Sequence, residues 1–463
     1  MIKNTLIGTI SLFLLTSALT ASAEQRALLV GVGEYADPVN NLPAIDLDLD
    51  RMWDTLIVMG FKESQIHTLL DEQATSSRVK SEIGGWLTKG VQPTDRVIFY
   101  FSGHGANIPD VDGDEPDGVD EVLVTHDVQR ARVKGKKTLI GVVRDDELFG
   151  LFTAIPSQKV LTIIDACHSG TSTRSFNLET RSLVSDEVFP KSFLYEGMPD
   201  VNSSLFDRST SDSDEVNFVS ISAAGDTEKA IGTSKGGMFT IGLSTAITEA
   251  ARAGHNITIQ ELRDKAASYI EARLDKNRVH HPQVTGNIAL ASGALSIVPL
   301  AAGNGPNRRK LVSMIQGQGK EFGLQSSQTT YVVDDLVKLQ MVIPTNGYLN
   351  LVTVDAADNA TVLFPNQYHL NNAVEAGAFT IPTEKMTFDL PASEPLGPTL
   401  VAAFVTQDPI NFYDQTLDER DVNGNINVDF ASLSHTATRA LRVAPKKKEM
   451  YAAQLELMVV AKP

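Results

Sequence analysis

Two residues of this chain have the chemistry and the placement of a nucleophile and its base. His104 lies in the sequence SGHG, and Cys167 lies 63 residues further along in DACHSG. A cysteine nucleophile needs a base that takes its proton, or an imidazolium that stabilises the thiolate. Cys167 alone would fit an inert buried thiol, but the two motifs together predict a catalytic pair.

The neighbours of these two residues refine the prediction. Gly103 and Gly105 let backbone amides approach a substrate carbonyl, as an oxyanion site requires. His168 follows Cys167 directly and competes with His104 for the role of base. Adjacent side chains at a strand end point to opposite faces, so Cys167 and His168 cannot both face one cleft. We therefore predict His104 as the partner of Cys167.

Apolar strands must position these residues, and the sequence supplies four of them. They read RALLVGVGEY, DRVIFYFSGHG, KVLTIIDACHSG and EVNFVSISAAG, and helical patterns over 52–59 and 79–87 lie between the first two. Continuous apolar strands that alternate with helices predict an α/β fold with a mostly parallel sheet covered on both faces. Chemistry in such sheets gathers at the carboxyl ends of the strands, where both SGHG and DACHSG fall.

Composition restricts the class of function. The chain has 463 residues, enough for two or three domains, of which 42% are hydrophobic. Its formal net charge of −17 disfavours nucleic acid as a partner, because no basic excess is available to neutralise phosphates. With a single cysteine, the chain forms no disulfide within itself. We expect no organic cofactor.

The start of the chain is typical of a secretory signal peptide. Residues 1–23 have a positive charge at Lys3, an apolar stretch too short to span a bilayer, and a small-x-small sequence that ends at Ala23. No later stretch approaches the ~20 apolar residues of a transmembrane helix. We therefore expect an exported protein, periplasmic or secreted, with no integral membrane segment after signal removal.

Shifts in pattern predict the domain organisation. After the signal peptide we expect an α/β domain over 24–300, an exposed polar loop at about 171–215 within it, a linker at 301–309, and an all-β domain over 310–463.

One run of twelve residues, DVDGDEPDGVDE from Asp110 to Glu121, holds seven carboxylates. It fits a calcium loop, a trap for a basic substrate, or a solvated turn. An EF-hand loop needs glycine at its sixth position, where this run has Glu115. We therefore expect no self-contained calcium loop. A later sequence, DVNGNINVD, has Ile426 at the same position and is interpreted as a hairpin turn.

Taken together, these motifs resemble those of the metacaspases, and especially of their prokaryotic relatives among the caspase-like cysteine peptidases. The similarity runs from RALLVGVGEY to HHPQVTG and includes SGHG, an acidic DG-x-DE stretch, DACHSG, LPAIDLDLDRMWDTLIVMGF and GGMFTIGLSTAI. It implies a caspase-like α/β sandwich in which Cys167 is the nucleophile and His104 its acid and base partner. The amides of Gly105 and Cys167 would be the oxyanion donors.

The resemblance also implies a pocket for a basic side chain. Asp165 lies two residues before the cysteine, Ser102 lies two before the histidine, and Asp48 falls on the family's acidic position, with Asp46 and Asp50 close by. Metacaspases use these three positions to hold an Arg or Lys side chain. Paired carboxylates suit a guanidinium or an ammonium. We therefore expect cleavage of protein or peptide substrates after Arg or Lys and not after Asp.

In metacaspases, the Asp of DG-x-DE joins a later Asp pair in calcium binding. The resemblance thus implies Asp120, Asp145 and Asp146 as metal ligands, whereas Arg174 stands where the family has a further acidic ligand. The alternative is that Asp145 and Asp146 only begin a helix, a position that favours carboxylates.

The sequence also offers sites for self-cleavage. The basic stretch 130–137 and the arginines Arg174, Arg181 and Arg208 fall in expected exposed loops, which a peptidase specific for basic residues can reach. The C-terminal part is similar to a β-rich accessory domain of unknown function in bacterial proteins, through YVVDDLVKLQMVIPTNGYLNLVTVD and ATVLFPN.

The residues and the resemblance together predict a cysteine endopeptidase that cuts after Arg or Lys by a Cys/His dyad, and they leave open whether calcium activates it and whether it processes itself. The rival hypothesis is a catalytically silent caspase-fold scaffold of the cell envelope. The intact pair His104 and Cys167 argues against the scaffold.

Overall fold

The structure is a computed structural model. It describes residues 24–110, 113, 118–167, 188–196, 198–199, 216–225, 228–276, 278–295, 297, 303, 305–316, 320–416 and 450–462. The predicted signal peptide, most of the predicted loop 171–215 and the sequence DVNGNINVD lie outside these residues. None of the helices in the described part of the chain combines the length and the apolar character that crossing a bilayer requires.

The first unit alternates strands and helices. Its described strands are β1 (Gln25–Gly31), β2 (Ile66–Leu70), β3 (Arg96–Ser102), β4 (Gly105–Pro109), β5 (Val119–Val133), β6 (Lys136–Arg144), β7 (Val160–Asp165), β8 (Val188–Pro190), β9 (Phe218–Ser222), β10 (Ile231–Thr233), β11 (Gly236–Gly237) and β12 (Gln283–Gly286). Its described α-helices are α1 (Ile45–Val58), α2 (Ser76–Gly85), α3 (Asp145–Thr153), α4 (Met238–Arg252), α5 (Ile259–Glu271) and α6 (Ala291–Ala294).

A six-stranded sheet forms the centre of this unit, in the order β12-β9-β7-β3-β1-β2. All neighbouring strands are parallel except β12 and β9. β3 and β7 are buried along their whole length, as continuous apolar strands are in a sheet covered on both faces. The predicted α/β fold with a mostly parallel sheet is confirmed.

Helices cover both faces of the sheet. α1, α4 and α5 pack on one face and α2 and α3 on the other, each set with its own apolar core. Along α1, the buried residues Ile45, Leu49, Met52 and Leu56 recur every three or four positions, which places them on the face toward the sheet. The spacing that predicted helices in the sequence therefore also decides which side of each helix is buried.

A long hairpin stands beside the central sheet. β4, β5 and β6 form an antiparallel sheet, and Arg132 of β5 pairs with Lys137 of β6 around the turn at Lys134 and Gly135. Gly135 adopts a φ of 83°, which a glycine accepts without strain. The prediction that 130–137 forms a loop is therefore wrong, because the two arms pair their backbones with each other.

The second unit is rich in strands. Its described strands are β13 (Leu324–Ser326), β14 (Thr330–Val332), β15 (Leu339–Ile343), β16 (Gly347–Val354), β17 (Ala360–Phe364), β18 (Ala373–Val374), β19 (Gly377–Ile381), β20 (Gly397–Thr406) and β21 (Met450–Val460). Its described helices are α7 (Pro306–Gln316) and α8 (Phe412–Thr416). β14, β21, β20, β16 and β17 form one sheet in this order, with β18 beside β16, and β13, β15 and β19 form another. The predicted β-rich region is confirmed, with two short helices in addition.

α7 lies between the two units. Leu311 and Ile315 are buried in an apolar core of the second unit, whereas Lys310 forms an ion pair with Asp54 on α1. The helix begins inside the predicted linker 301–309, because its apolar residues four positions apart have a core to pack against.

Candidate active site

The central sheet brings His104 and Cys167 to the same edge. His104 comes two residues after the end of β3, and Cys167 two residues after the end of β7. The two strands are parallel neighbours in which Ser102 pairs with Asp165. The residues that follow these strands therefore emerge side by side at the carboxyl edge, where the sequence predicted them.

The His104 ring is held in one orientation. Its Nε2 lies 2.9 Å from the backbone carbonyl of Asn40, so Nε2 carries the proton in the neutral ring. The Tyr35 hydroxyl accepts the His104 backbone N–H at 2.9 Å, and the two rings lie 5.1 Å apart. Nδ1 has no hydrogen-bond partner among the described residues. This tautomer leaves the Nδ1 lone pair available to accept a proton.

Two backbone amides converge on one carbonyl beside Cys167. The N–H groups of Gly105 and Cys167 both donate to the carbonyl oxygen of Lys191, at 3.0 and 3.3 Å. These are the two amides that the sequence predicted as oxyanion donors. Two donors aimed at one carbonyl oxygen are the arrangement that stabilises a developing negative charge in acyl transfer.

Burial keeps the pair of residues neutral. It lowers the pKa of His104 to about 4, against an opposing effect of the nearby Asn40 and Lys191 backbones. It raises the pKa of Cys167 to about 11, only partly offset by hydrogen bonds from Ala230 and Ser192. Cys167 is 2% exposed and His104 6%. A thiol that burial keeps protonated needs a base that takes its proton as the sulfur attacks.

An acidic pocket lies next to the two amides and holds the side chain of Lys191. The Lys191 ammonium lies 2.9 Å from an oxygen of Asp48, 2.9 Å from one of Asp165 and 2.8 Å from the Ser102 hydroxyl. Lys191 is 1% exposed. Burial alone would lower the pKa of Lys191, but the carboxylates of Asp165 and Asp48 raise it above its ordinary value. All three predicted pocket residues meet here, and Asp48, not Asp46 or Asp50, is the α1 carboxylate involved.

The wall of this pocket includes residues that the sequence did not reveal. The second oxygen of Asp48 accepts the Gly237 N–H at 2.7 Å, and Asp165 accepts the Thr240 hydroxyl at 2.6 Å. A Cβ on Gly237 would collide with the Asp165 carboxylate and stand 2.5 Å from the Lys191 ammonium. Only glycine fits at position 237 while a basic side chain fills the pocket. The family resemblance included the sequence GGMFTIGLSTAI, but it did not indicate that Gly237 and Thr240 contact the pocket carboxylates.

The chain around Lys191 crosses the site in an extended conformation. β8 pairs antiparallel with β10, and Pro190, the last residue of β8, faces Ile231. Beyond Lys191, Ser192 bridges to Gly105 in parallel, and the Phe193 N–H donates to the Gly105 carbonyl at 2.8 Å. The described part of the predicted exposed loop 171–215 thus lies in the cleft, like a bound peptide with one carbonyl at the two amides.

A second acidic cluster lies beside the hairpin. One carboxylate oxygen each from Asp120 on β5 and from Asp145 and Asp146 in the first turn of α3 lies within 4.8 Å of the others. Asp120 is fully buried. Hard carboxylate oxygens at such spacing suit Ca²⁺, so the residues fit the metal that the sequence led us to expect. The same two aspartates also begin α3, so both functions that the sequence allowed are compatible with their position. Arg174 lies outside the described residues.

Two further histidines make contacts within the described part of the chain, and several other residues considered from the sequence lie outside it. His280 is buried, its Nδ1 lies 2.7 Å from the Ala223 carbonyl, and its Nε2 accepts the Ile231 N–H at 3.3 Å. His126 bonds to the Glu34 carbonyl near the surface. Outside the described residues lie His168, Arg181, Arg208, Asp112, Asp114 and Glu115.

Two family models match parts of this chain. The family model for the caspase domain matches residues 24–288, and a model for a domain of unknown function (DUF4384) matches residues 330–409. Metacaspase-1 of Yarrowia lipolytica and metacaspase-1B of Aspergillus clavatus are each 33% identical to this chain over 159 residues. These segments are 33% of this chain and 32% and 36% of the two relatives. The chain therefore spans about a third of the length of the curated relatives it matches.

Two solved structures are similar to parts of the chain. A Geobacter sulfurreducens protein is 22% identical with a TM-score of 0.41 and covers 60% of this chain and 98% of its own. Caspase-1 of Spodoptera frugiperda is 14% identical with a TM-score of 0.36 and covers 57% and 86%. The caspase-domain match covers more than half of the 463 residues. This chain therefore belongs to the caspase-domain family of cysteine peptidases.

Proposed function

We propose that this protein is an endopeptidase that hydrolyses peptide bonds after Lys or Arg, with Cys167 as nucleophile and His104 as acid and base. The observation that carries the proposal is the position of Lys191. Its ammonium lies between Asp48 and Asp165 while its carbonyl accepts from the Gly105 and Cys167 amides. One residue thus meets at once the pocket and the oxyanion donors that a substrate would use.

The reaction follows from the neutral pair. Nδ1 of His104 accepts the Cys167 proton as the sulfur attacks the substrate carbonyl carbon, and the amides of Gly105 and Cys167 stabilise the oxyanion. The imidazolium then donates that proton to the leaving amine, and the C–N bond breaks to give a thioester. Water, deprotonated by His104, attacks the thioester, and the thiol leaves with the proton. The enzyme returns to its starting state with one peptide bond hydrolysed.

The pocket explains the choice of a basic side chain. Two buried carboxylates and a hydroxyl around one point stabilise a cation and repel an aspartate side chain. Asp165 Oδ1 has no hydrogen-bond partner among the described residues. An arginine side chain is one bond longer than a lysine side chain, and its guanidinium carries five donors. It can therefore use this further acceptor. Lys and Arg are therefore both expected before the cut bond.

Self-processing belongs to the same proposal, with a new site. The Lys191–Ser192 bond has its carbonyl at the two amides and its basic side chain in the pocket, so it is the bond of this chain that we expect Cys167 to cut first. Until it is cut, the segment blocks other substrates. The sites that the sequence suggested, 130–137 and three arginines, are a paired hairpin or lie outside the described residues.

Calcium would be held by Asp120, Asp145 and Asp146. The ion would supply positive charge that offsets three clustered carboxylates and would tie α3 to β5. We expect calcium to raise the melting temperature of the Cys167→Ala protein and to accelerate reporter cleavage, and we expect Asp120→Asn to abolish both effects. Melting and activity that stay unchanged on strong chelation would contradict the calcium part of the proposal.

Reporter peptides test the main proposal. We expect peptides that end in Lys or Arg before the fluorophore to be cut and the matching Asp peptide to stay intact, with all cleavage lost in Cys167→Ala. Labelling of Cys167 by an Arg-ending electrophilic peptide would show nucleophile and pocket together. If no basic reporter is cut and Cys167 is not labelled, the silent-scaffold hypothesis replaces this one. Export to the periplasm or the medium, inferred from residues 1–23, remains part of the proposal.

A further inference from the structure

We propose that the cleft also selects substrates on the far side of the cut bond, through a buried subsite for an aromatic side chain at the second residue after the bond. The inference rests on the proposed function, because it concerns the same cleft. Its evidence is the conformation of the segment Val188–Tyr195, which we call the cleft segment. In this segment Phe193 is the second residue after the Lys191–Ser192 bond.

Phe193 occupies a site formed by residues of the active site itself. Its side chain is 4% exposed, and its ring lies 5.9 Å from the Tyr35 ring and 5.7 Å from the His104 ring. Its backbone N–H donates to the Gly105 carbonyl, while the Gly105 N–H donates to Lys191. Gly105 therefore fixes the chain on both sides of the bond, and Tyr35 and His104 form the aromatic subsite.

From Phe193 onward, the side chains of the cleft segment alternate in exposure. Leu194 is 37% exposed, whereas Tyr195 is buried and its hydroxyl donates to the Asn107 carbonyl at 3.1 Å. An extended peptide that presents every second side chain to a strand shows this pattern. The cleft therefore buries every second side chain from Phe193 onward, and the site filled by Phe193 is the one nearest to the reacting groups.

The two sides of the bond differ in how deeply they are held. Before Lys191, the residues Val188, Phe189 and Pro190 are only half-buried. After it, Ser192 and Phe193 are buried. Apart from the basic residue itself, the larger share of apolar contact thus lies after the bond, where a substrate with an aromatic side chain gains most.

The contact between the aromatic side chain and the His104 ring also affects the position of the leaving group. His104 delivers the proton to the leaving amine, and the amine belongs to the residue that directly precedes the aromatic one. An aromatic side chain packed on the His104 ring therefore holds the leaving group beside its proton donor. We expect the gain to appear in kcat/KM, with part of it in kcat.

Three internally quenched peptides test the inference on the full-length chain in calcium. The parent is Val-Phe-Pro-Lys-Ser-Phe-Leu-Tyr, the second has Ala in place of the Phe after Ser, and the control has Ala in place of the exposed Leu. We expect the Phe replacement to lower kcat/KM roughly ten- to hundredfold and the Leu replacement less than about twofold. Equal losses for the two replacements would overturn the subsite while leaving the proposed function intact.

Two variants locate the subsite. In Tyr35→Ala the ratio of kcat/KM between the parent and the Phe-replaced peptide should fall toward one, and Tyr35→Phe should retain it. The ratio compares two peptides on one enzyme, so a general loss of activity beside His104 cancels. A ratio that survives in Tyr35→Ala would overturn the role of Tyr35. If neither the peptides nor a short Lys reporter is cut, the proposed function itself fails.

Discussion

Two described segments of this chain contain residues after which an enzyme specific for Lys or Arg would cut, and they differ in burial and in backbone pairing. The tip of the β5–β6 hairpin is exposed and rich in Arg and Lys. The cleft segment has a single basic residue, Lys191, and this residue is buried. In the cleft segment, the Lys191 carbonyl accepts from the amides of Gly105 and Cys167. In the hairpin, the backbone groups of β5 pair with those of β6.

Under the proposed function, this contrast makes solvent exposure a poor guide to self-cleavage. A peptidase of this type needs an extended backbone whose carbonyl it can polarise and whose basic side chain it can bury. The arms of a hairpin have already used their amides and carbonyls in the ladder, so cutting there requires the ladder to open. We therefore expect the conformation of the chain at the active site, and not the density of basic residues, to decide which bond is cut.

Replacing a basic residue by alanine in each segment tests the difference between them most directly. Lys191→Ala should lower self-cleavage by more than about a hundredfold, because alanine leaves the acidic pocket without its cation. Arg132→Ala, the matched change in the hairpin, should leave the cleavage rate unaltered. Lys191→Arg keeps the charge and should keep the cut, which guards against misfolding of the alanine variant. Fragment appearance followed by mass spectrometry measures all three, and equal rates in Lys191→Ala and the parent would refute the assignment.

A smaller effect concerns the stability that the filled pocket gives. Asp48→Asn should lower the free energy of unfolding by about 2 kcal/mol in the Cys167→Ala background, because Asp48 accepts from Lys191, Ser102 and the Gly237 amide. Asp46→Asn on the same helix is the control and should change it by less than about 0.5 kcal/mol. Urea denaturation measures both, and equal effects would remove Asp48 from the pocket account.

The smallest effect is on pH dependence. The folded state gives His104 a pKa of about 4 because the cleft buries it, whereas the unfolded chain has the ordinary value near 6.5. Between these values the unfolded state binds more protons, so stability falls as the pH drops from about 6.5 toward 4. At pH 5.5 this amounts to about 1 kcal/mol. We expect His104→Gln to remove this part of the pH dependence, measured as the difference between two denaturation series. An unchanged slope would contradict burial of a neutral His104.

Much of the site follows from the sequence because its residues lie at strand ends. Ser102 and Asp165 end two neighbouring strands, His104 and Cys167 follow two residues later, and a short motif at each strand end contains them. The position of Asp48 required the family resemblance, and the structure chooses it over Asp46 and Asp50 because its side chain alone of these three points into the pocket with full burial.

The roles of Lys191 and Gly237 could not be predicted from the sequence, because they depend on contacts between residues far apart in the chain. Lys191 reaches Asp48 across 143 residues and Ser102 across 89, and no local pattern encodes such a meeting. One signal was available: VFPKSFLY is an apolar island in a polar stretch, which is unusual for a solvated loop. Gly237 carries no such signal, because its role depends on the close approach of Asp165 and Lys191.

The identity of the new N-terminus tests the central claim most directly. The protein incubated with calcium, beside the Cys167→Ala protein treated in the same way, would be analysed by N-terminal sequencing of every fragment. The account predicts a fragment that begins Ser192-Phe193-Leu194 in the parent, no fragment that begins within 131–138, and an intact Cys167→Ala chain. An uncut parent, a first cut at another bond, or the same fragment from Cys167→Ala would contradict it.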